Sequence, residues 1–217
     1  YGEKSYNGVA LITDEPLTDV VRGFPADGPD AQNRMISGIY DGIRIIDVYI
    51  PNGGELGSDK YAYKLHWLDE LACHLRSTYD AHSPLVICGD FNVAPADIDV
   101  HDPVLLKGGV LVSEPERSAL ERIREWGLED VFRKHHPTRI VYSWWDYRAA
   151  AFKKDQGLRI DHVWATKTLS ERSRSIYIDR EIRRETQPSD HAPVIVEFAD
   201  LEQTSHSSVC ENTLAEV

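Results

Sequence analysis

The stretch "VICGDFNVAP", residues 86–95, places an apolar run directly before an aspartate and an asparagine. Its first three residues are typical of a buried strand, and the glycine that follows them, Gly89, is typical of the end of a strand. Asp90 and Asn92 follow one residue apart, so at the two-residue period of a strand both lie on one face. A turn would explain such residues, because Asp and Asn are favoured there. The alternative is a metal-assisted site at the end of a strand.

Two later segments repeat this pattern of polar side chains at the ends of apolar runs. In "GLRIDHVWAT" (157–166), Asp161 interrupts an apolar strand, and in "PSDHAPVIVEF" (188–198), Asp190 and His191 precede one. Oxygen ligands with few nitrogens suit Mg²⁺, or alternatively Mn²⁺, better than zinc. If these side chains converge on one pocket, the set supports the hydrolysis of a phosphate ester.

Composition and charge limit the remaining possibilities. The 217 residues are 41% hydrophobic with a formal net charge of −12, so we expect one domain without a general nucleic-acid-binding coat. Residues 148–184 nevertheless contain ten Lys and Arg against five Asp and Glu, which allows a local basic face. We predict a catalytic domain over residues 1–199 and a disordered polar tail over residues 200–217.

Apolar periodicity predicts a mixture of helices and strands. Asp41-Gly42 between two apolar runs indicates a hairpin. Predicted strands cover 8–13, 35–40, 43–50, 140–148, 157–166, 174–179 and 192–198, besides the strand before Asp90, and predicted helices cover 59–79 and 114–127. Without strict alternation of strand and helix, this order favours an α+β layered sandwich over a doubly wound parallel sheet.

The three cysteines, an odd number without metal-like spacing, indicate a reduced, cytoplasmic protein. No segment is apolar enough to predict a membrane span or a secretory signal.

Four motifs in this order, "GDFN", "SWWDYR", "GLRIDH" and "PSDHAP", resemble those of exonuclease III and the related abasic-site endonucleases, within the endonuclease/exonuclease/phosphatase superfamily. The resemblance extends to about residue 198. It implies a four-layer α+β sandwich of two packed mixed β-sheets flanked by helices. It also implies a monomeric, Mg²⁺-dependent (or Mn²⁺-dependent) DNA-repair nuclease, associated with the nucleoid in a bacterium. Such an enzyme acts 3′→5′ on ends of double-stranded DNA and incises it at abasic sites.

The resemblance assigns roles to individual residues. Asp90 matches the carboxylate that activates the attacking water, and Asn92 the amide that orients the water or phosphate. Asp161 matches the partner of the catalytic His191, and Tyr49 a tyrosine that contacts the phosphate. The residues expected near the metal are Asp190, Asp90 and Asn92. Those expected to contact substrate are Asn52, the apolar pocket walls Trp144, Leu158 and Ile160, and the arginines Arg148 and Arg159.

Relatives of this kind begin with a strand that bears an Asn and a second strand that bears a metal-binding Glu. Nothing here matches either, because Tyr1 aligns with the segment after them, so we expect the N-terminal strands to be missing and this fragment to be weakly active or inactive. Two alternatives therefore stay open. One is another phosphodiesterase or phosphatase of the superfamily, acting on RNA ends or phospholipid head groups. The other is an inactive chain that still binds DNA.

Overall fold

The computed structural model describes residues 1–4, 7–25, 27–28 and 31–200. Six of its strands form one mixed sheet, in the order β1-β2-β3-β4-β6-β5. In chain order they are β1 Thr18–Arg22, β2 Met35–Tyr40, β3 Ile43–Tyr49, β4 Leu85–Asp90, β5 Leu128–Asp130 and β6 Asp161–Thr166. Only the β3–β4 pair is parallel among these strands.

A second sheet consists of two antiparallel strands, β7 (Ser173–Ile178) and β8 (Val194–Phe198). The α-helices are α1 Asp59–Thr78, α2 Glu114–Arg124, α3 Val131–His135 and α4 Lys167–Ser170. The predicted α+β class with two sheets and flanking helices is therefore confirmed, although the described second sheet is purely antiparallel rather than mixed.

The hydrophobic core lies on both faces of the main sheet. On one face, Leu68 and Leu71 of α1 pack with Ile46 and Ile87 of the sheet, all fully buried, and α2 joins them. On the other face, Val86 and Val163 pack against the residues of β7 and β8. Both faces are covered, and β4 is accordingly apolar from Leu85 to Cys88, as expected for a strand buried on both sides.

Local signals set the boundaries of these elements. Asp41 and Gly42 have φ angles of 46° and 74°, the left-handed values of a tight hairpin turn, so the predicted β2–β3 hairpin is confirmed. Ser58 caps α1 by accepting a hydrogen bond from the Tyr61 N–H at 3.2 Å. Ser113 caps α2, and Glu116 completes its capping box.

Two predicted strands are wrong. Residues 8–13 contain no strand beyond a single bridge at Gly8, and their apolar side chains share no buried face: Val9 is 8% exposed but Ile12 is 94% exposed. Residues 140–148 run irregularly, with Trp144 bridging Leu158 and His191. The sequence patterns also gave no indication of β1, whose side chains are largely exposed. Beyond Asp200, the predicted disordered tail lies outside the described residues.

Within the described part of the chain, no helix is both long and apolar enough to cross a membrane.

Candidate active site

The antiparallel pairing of β4 with β6 brings two of the predicted carboxylates together. Asp90, the last residue of β4, lies directly opposite Asp161, the first residue of β6. Side chains of directly opposite residues project from the same face of the sheet. Both residues line a cleft of about 530 Å³, whose other walls include Asp47, Cys88 and His191. The register of two strands therefore creates the acidic centre of the site.

His191 reaches this centre from the segment before β8. Its Nδ1 lies 3.0 and 2.9 Å from the two carboxylate oxygens of Asp161. Burial acts to lower the pKa of His191, but the hydrogen bond and negative charge of Asp161 outweigh it and raise the pKa to about 9. The imidazolium donates Nδ1–H to Asp161 and carries a second N–H at Nε2. A group of this kind stabilises negative charge on a neighbouring phosphate.

Asp90 occupies a less favourable electrostatic position. Burial raises its pKa to about 7, and the negative charge of Asp161 adds to the effect, while His191 opposes it. Two hydrogen bonds from Asn92 support the carboxylate: the backbone N–H donates at 2.8 Å and Nδ2 at 2.9 Å. A carboxyl group with a pKa near neutrality is suited to take up a proton from water.

Asn92 adopts a left-handed backbone conformation, with φ of 50°, that places its side chain back over Asp90. Asn tolerates this region better than most residues. Its Nδ2 also donates to the Ile50 carbonyl at 2.9 Å, and its Oδ1 accepts a hydrogen bond from Asn52 Nδ2 at 3.0 Å. The two predicted amides are thus linked to each other and to Asp90.

Asp90, Asp161 and His191 are the one group of three His, Cys, Asp or Glu side chains in the described ranges that is able to hold a metal ion; their ligand atoms lie within 4.8 Å of one another. The protonated ring of His191 is bonded to Asp161 and has no lone pair for a metal. The atoms available to bind a hard cation are therefore the carboxylate oxygens of Asp90 and Asp161. One histidine balances the charge of only one of these two enclosed carboxylates. The remaining negative charge and the oxygen ligands fit a divalent ion of the Mg²⁺ type.

Asp190, predicted as a metal ligand, lies outside this group. Its carboxylate instead accepts a hydrogen bond from Trp144 Nε1 at 2.9 Å. The structure places Asp190 beside the indole of Trp144, close enough for its charge to act on His191, and its role as a metal ligand stays a prediction.

Tyr49 ends β3 beside Asp90, because these strands are parallel and their C-terminal ends align. The Arg34 guanidinium covers its ring at 4.7 Å from the centroid, which fixes the orientation of the ring.

The predicted apolar wall is one cluster with unequal exposure. Leu158 and Ile160 are only 5% and 2% exposed, so they support the wall from behind. Trp144 is half-buried and is the member with surface to offer a substrate. Its backbone bridges to His191, which fixes it beside the acidic centre.

The two predicted substrate-binding arginines differ. Arg148 is exposed and pairs with Asp146, the shortest distance being 2.7 Å. Arg159 is fully buried, and its Nε and Nη2 donate to Asp99 at 2.6 Å and to Asp130 at 2.7 Å. Its assignment as a substrate contact is therefore wrong, because internal carboxylates already occupy the guanidinium.

His162 has no role predicted from its motif, and the structure places it in the same buried network. Its Nδ1 accepts a hydrogen bond from Arg159 Nη1 at 2.9 Å, which leaves Nε2–H to donate to the Val93 carbonyl at 3.0 Å. Burial, together with the charge of Arg159, lowers the pKa of His162 to about 4. The ring is therefore neutral and supports the turn that follows Asn92.

Lys64, which sequence patterns did not single out, is fully buried beneath the same turn. The available signal was its position on the apolar face of α1, three residues after Tyr61 and four before Leu68.

Comparison with known proteins places this geometry in a family. The model of the endonuclease/exonuclease/phosphatase family matches residues 1–191. Exodeoxyribonuclease III of Haemophilus influenzae is 35% identical over 210 residues, with 91% of this chain and 79% of that protein covered.

Solved structures agree with this similarity. An AP endonuclease from Archaeoglobus fulgidus matches with a TM-score of 0.81 and 41% identity, over 85% of this chain and 72% of that one. A 3′ phosphatase from Neisseria, bound to a product DNA hairpin, matches with a TM-score of 0.81 and 38% identity over the same shares. The chain therefore belongs to the endonuclease/exonuclease/phosphatase family, in the branch of hydrolytic nucleases that contains exodeoxyribonuclease III and the AP endonucleases.

Proposed function

We propose that residues 1–199 form the catalytic domain of a monomeric, Mg²⁺-dependent DNA-repair nuclease. It hydrolyses phosphodiesters 3′→5′ at the ends of duplex DNA and incises the duplex at abasic sites. The observation that carries this proposal is the arrangement of Asp90 opposite Asp161, with His191 bonded to the latter. The residues that would bind the metal are Asp90 and Asp161, and the ion would neutralise charge on the scissile phosphate.

The residues of the chain divide the hydrolysis between them. Asp90, held in place by two hydrogen bonds from Asn92, accepts a proton from the attacking water. Asn92 orients the water or the phosphate from its position against Asp90. The protonated His191, aligned by Asp161, places its Nε2–H as a donor for the developing charge on a phosphate oxygen.

The substrate class rests on features around this centre. Trp144 offers an apolar wall beside His191, suited to a sugar that has lost its base. Segment 148–184 carries more basic than acidic residues, although the whole chain is acidic, and cationic side chains supply affinity for phosphates. These observations favour DNA over phospholipid head groups.

A 3′-phosphatase activity is the second candidate, favoured by the 38% identity to the Neisseria 3′ phosphatase. The same centre would serve, because a terminal phosphate and a bridging phosphodiester present similar oxygens to Asp90 and His191.

The test uses three labelled duplexes, which carry an internal tetrahydrofuran abasic analogue, a recessed 3′ hydroxyl end or a 3′ phosphate. Each is incubated with the purified chain and Mg²⁺, or with EDTA. We expect weak, metal-dependent cleavage that Asp90→Asn abolishes and that Asp69→Asn, an exposed carboxylate of α1, leaves unchanged. The relative rates identify the dominant activity. Binding of the duplexes without turnover of any of them would contradict the proposal and leave a DNA-binding chain.

A further inference from the structure

Lys64 lies in the middle of α1 with no exposed surface. A lysine is hardly ever fully buried unless its charge is paired, because removal of an ammonium from water is costly. Burial lowers the pKa of Lys64, and the charge and hydrogen bond of Glu116 oppose that effect. The position therefore needs an explanation in the contacts that the ammonium makes.

The ammonium of Lys64 uses all three of its donors inside the protein. Nζ lies 2.6 Å from the carbonyl oxygen of Asn92, 3.1 Å from that of Asn52 and 2.5 Å from Glu116 Oε1. Three donors are the full capacity of a lysine side chain. One buried cation thus joins the two segments that carry the amides beside Asp90.

Glu116 fixes the ammonium from the other side. It is itself fully buried, and its carboxylate accepts hydrogen bonds from the Leu111 N–H at 3.0 Å, the Ser113 N–H at 3.0 Å and Ser113 Oγ at 2.5 Å. Since these donors lie at the beginning of α2 and just before it, the position of Nζ is determined by the packing of α1 against α2.

Each of the two segments that Lys64 joins contains a residue with a positive φ angle. Asn92 has a left-handed backbone, and its amide contacts Asp90. Gly53, directly after Asn52, has φ of 92°, and a Cβ atom there would lie 3.0 Å from Lys64 Cδ. The loop therefore packs directly on the lysine stem, and its conformation is matched to this side chain.

Stability alone is a poor explanation for this arrangement. Replacement of a buried ion pair by apolar residues of similar volume is often neutral or stabilising. A site for an apolar side chain would be simple to provide on this face of α1, where Leu68 and Leu71 are also fully buried. What an apolar residue would not supply is a donor to the two carbonyl groups.

We propose that Lys64, supported by Glu116, is a positioning residue: its ammonium fixes the Asn52 and Asn92 segments so that their amides orient Asp90 and the scissile phosphate. The inference rests on the proposed nuclease function for its kinetic consequence, but its structural consequence is independent of that function.

The test compares three variants with the wild type: Lys64→Met, Glu116→Gln, and the double variant, which removes both charges and leaves neither partner buried alone. A matched control is Asp69→Asn with Arg122→Met, which breaks an exposed ion pair between the same two helices. Thermal unfolding, kcat and KM on abasic duplex DNA, and the side-chain amide NMR signals of Asn52 and Asn92 are measured for each.

For the double variant we expect a folded protein whose kcat falls about 10- to 100-fold while KM changes less than about threefold, because misplacement of catalytic groups by about 1 Å has effects of this size. The amide signals of Asn52 and Asn92 should shift and broaden, and the control should change neither kcat nor these signals. A folded double variant with wild-type kcat and unshifted signals would overturn the proposal, as would an equal loss of kcat in the control. If the wild type cleaves no DNA, the nuclease function fails, and the NMR signals alone decide the positioning role.

Discussion

Asp90 and Asp99 are both enclosed carboxylates close to the C-terminal end of β4, yet their surroundings act on them in opposite directions. Burial raises the pKa of Asp90 to about 7, and Asp161 adds negative charge beside it. Burial also acts to raise the pKa of Asp99, but ion pairs with Arg159 and Arg133 outweigh it and hold that pKa below its ordinary value.

This difference separates a functional cluster from a structural one. Two arginines of the chain neutralise the charge of Asp99, so no external cation is needed there. The candidate metal site contains two carboxylates, Asp90 and Asp161, but only one protonated histidine, His191. A shortage of positive charge at a strand end is a stronger indication of a cation and phosphate site than carboxylates by themselves.

The largest effect should come from Asp90→Asn, which keeps the shape and removes the base. We expect turnover on duplex DNA to fall by roughly 10²- to 10⁴-fold. Stability should be unchanged or slightly higher, because a charge that opposes Asp161 disappears. Single-turnover cleavage and thermal unfolding measure the two effects. The comparison would break if Asp99→Asn, in folded protein, reduced turnover as strongly as Asp90→Asn.

Arg159→Met should have the opposite effect to Asp90→Asn: a large loss of stability and little loss of turnover. It leaves the half-buried Asp130 without its arginine and leaves Asp99 with Arg133 alone, and loss of one member of a buried pair costs about 3–5 kcal/mol. Urea unfolding at pH 7 checks this value. Turnover per folded molecule should stay within a few-fold of the wild type, and a selective loss of DNA affinity would restore Arg159 as a substrate contact.

The pH dependence of stability follows from the same cluster. Because the folded pKa of Asp99 lies below its unfolded value of about 3.9, its ion pairs stabilise the protein fully above that value. This contribution is lost as the pH falls through the folded pKa. Asp99→Asn should therefore be less stable at pH 7 and show a weaker additional loss below about pH 4, as urea unfolding across this range would reveal. An unchanged acid profile would show that Asp99 has the same pKa in both states.

Trp144→Ala should have an intermediate and selective effect. With the apolar wall removed, incision at abasic sites should fall more than attack on plain 3′ ends, because only the abasic sugar needs that wall. Trp144→Phe keeps an aromatic wall but loses the hydrogen bond to Asp190, so it separates the two contributions. Equal loss of both activities with a lowered melting temperature would indicate that Trp144 acts only in packing.

The sequence predicted which residues come together at the candidate site better than it predicted the network around Asp99. Asp90, Asp161 and His191 occur in short motifs at strand ends, where local pattern and chemistry agree. Arg159 lies in one of the same motifs, but its burial depends on Asp99 and Asp130, which are 60 and 29 residues away in the sequence. Local patterns do not encode such distant partners, so an arginine in a motif was assigned to the substrate.

Irregular backbone explains most of the remaining errors. Residues 140–148 have the apolar and aromatic composition of a strand, yet Trp144 makes single bridges to two different segments instead of a ladder. Lys64 shows the opposite difficulty: a lysine on a helix is expected in solvent, and only the folded positions of Asn52, Asn92 and Glu116 explain its burial.

The smallest effect concerns the cations outside both clusters. Arg183, in the basic segment, is only 6% exposed and packs over the rings of Tyr147 and Phe152, whereas Lys153 and Lys154 are exposed. We therefore expect the exposed lysines, and not the buried arginines, to neutralise DNA phosphates. Replacement of Lys153 and Lys154 by Ala should reduce the slope of log affinity against log salt by about 1 for each phosphate that is no longer neutralised.

Binding is measured with Asp90→Asn protein, so that the duplex stays intact, over a range of salt concentrations. Lys60→Ala, at an exposed lysine of α1 outside segment 148–184, provides the matched control. A slope that is unchanged by the substitution of Lys153 and Lys154 would place the duplex elsewhere on the surface. A slope that Arg159→Met reduces, in protein shown to be folded, would mean that the buried network opens on binding, and the distinction between Asp90 and Asp99 would then apply only to the free protein.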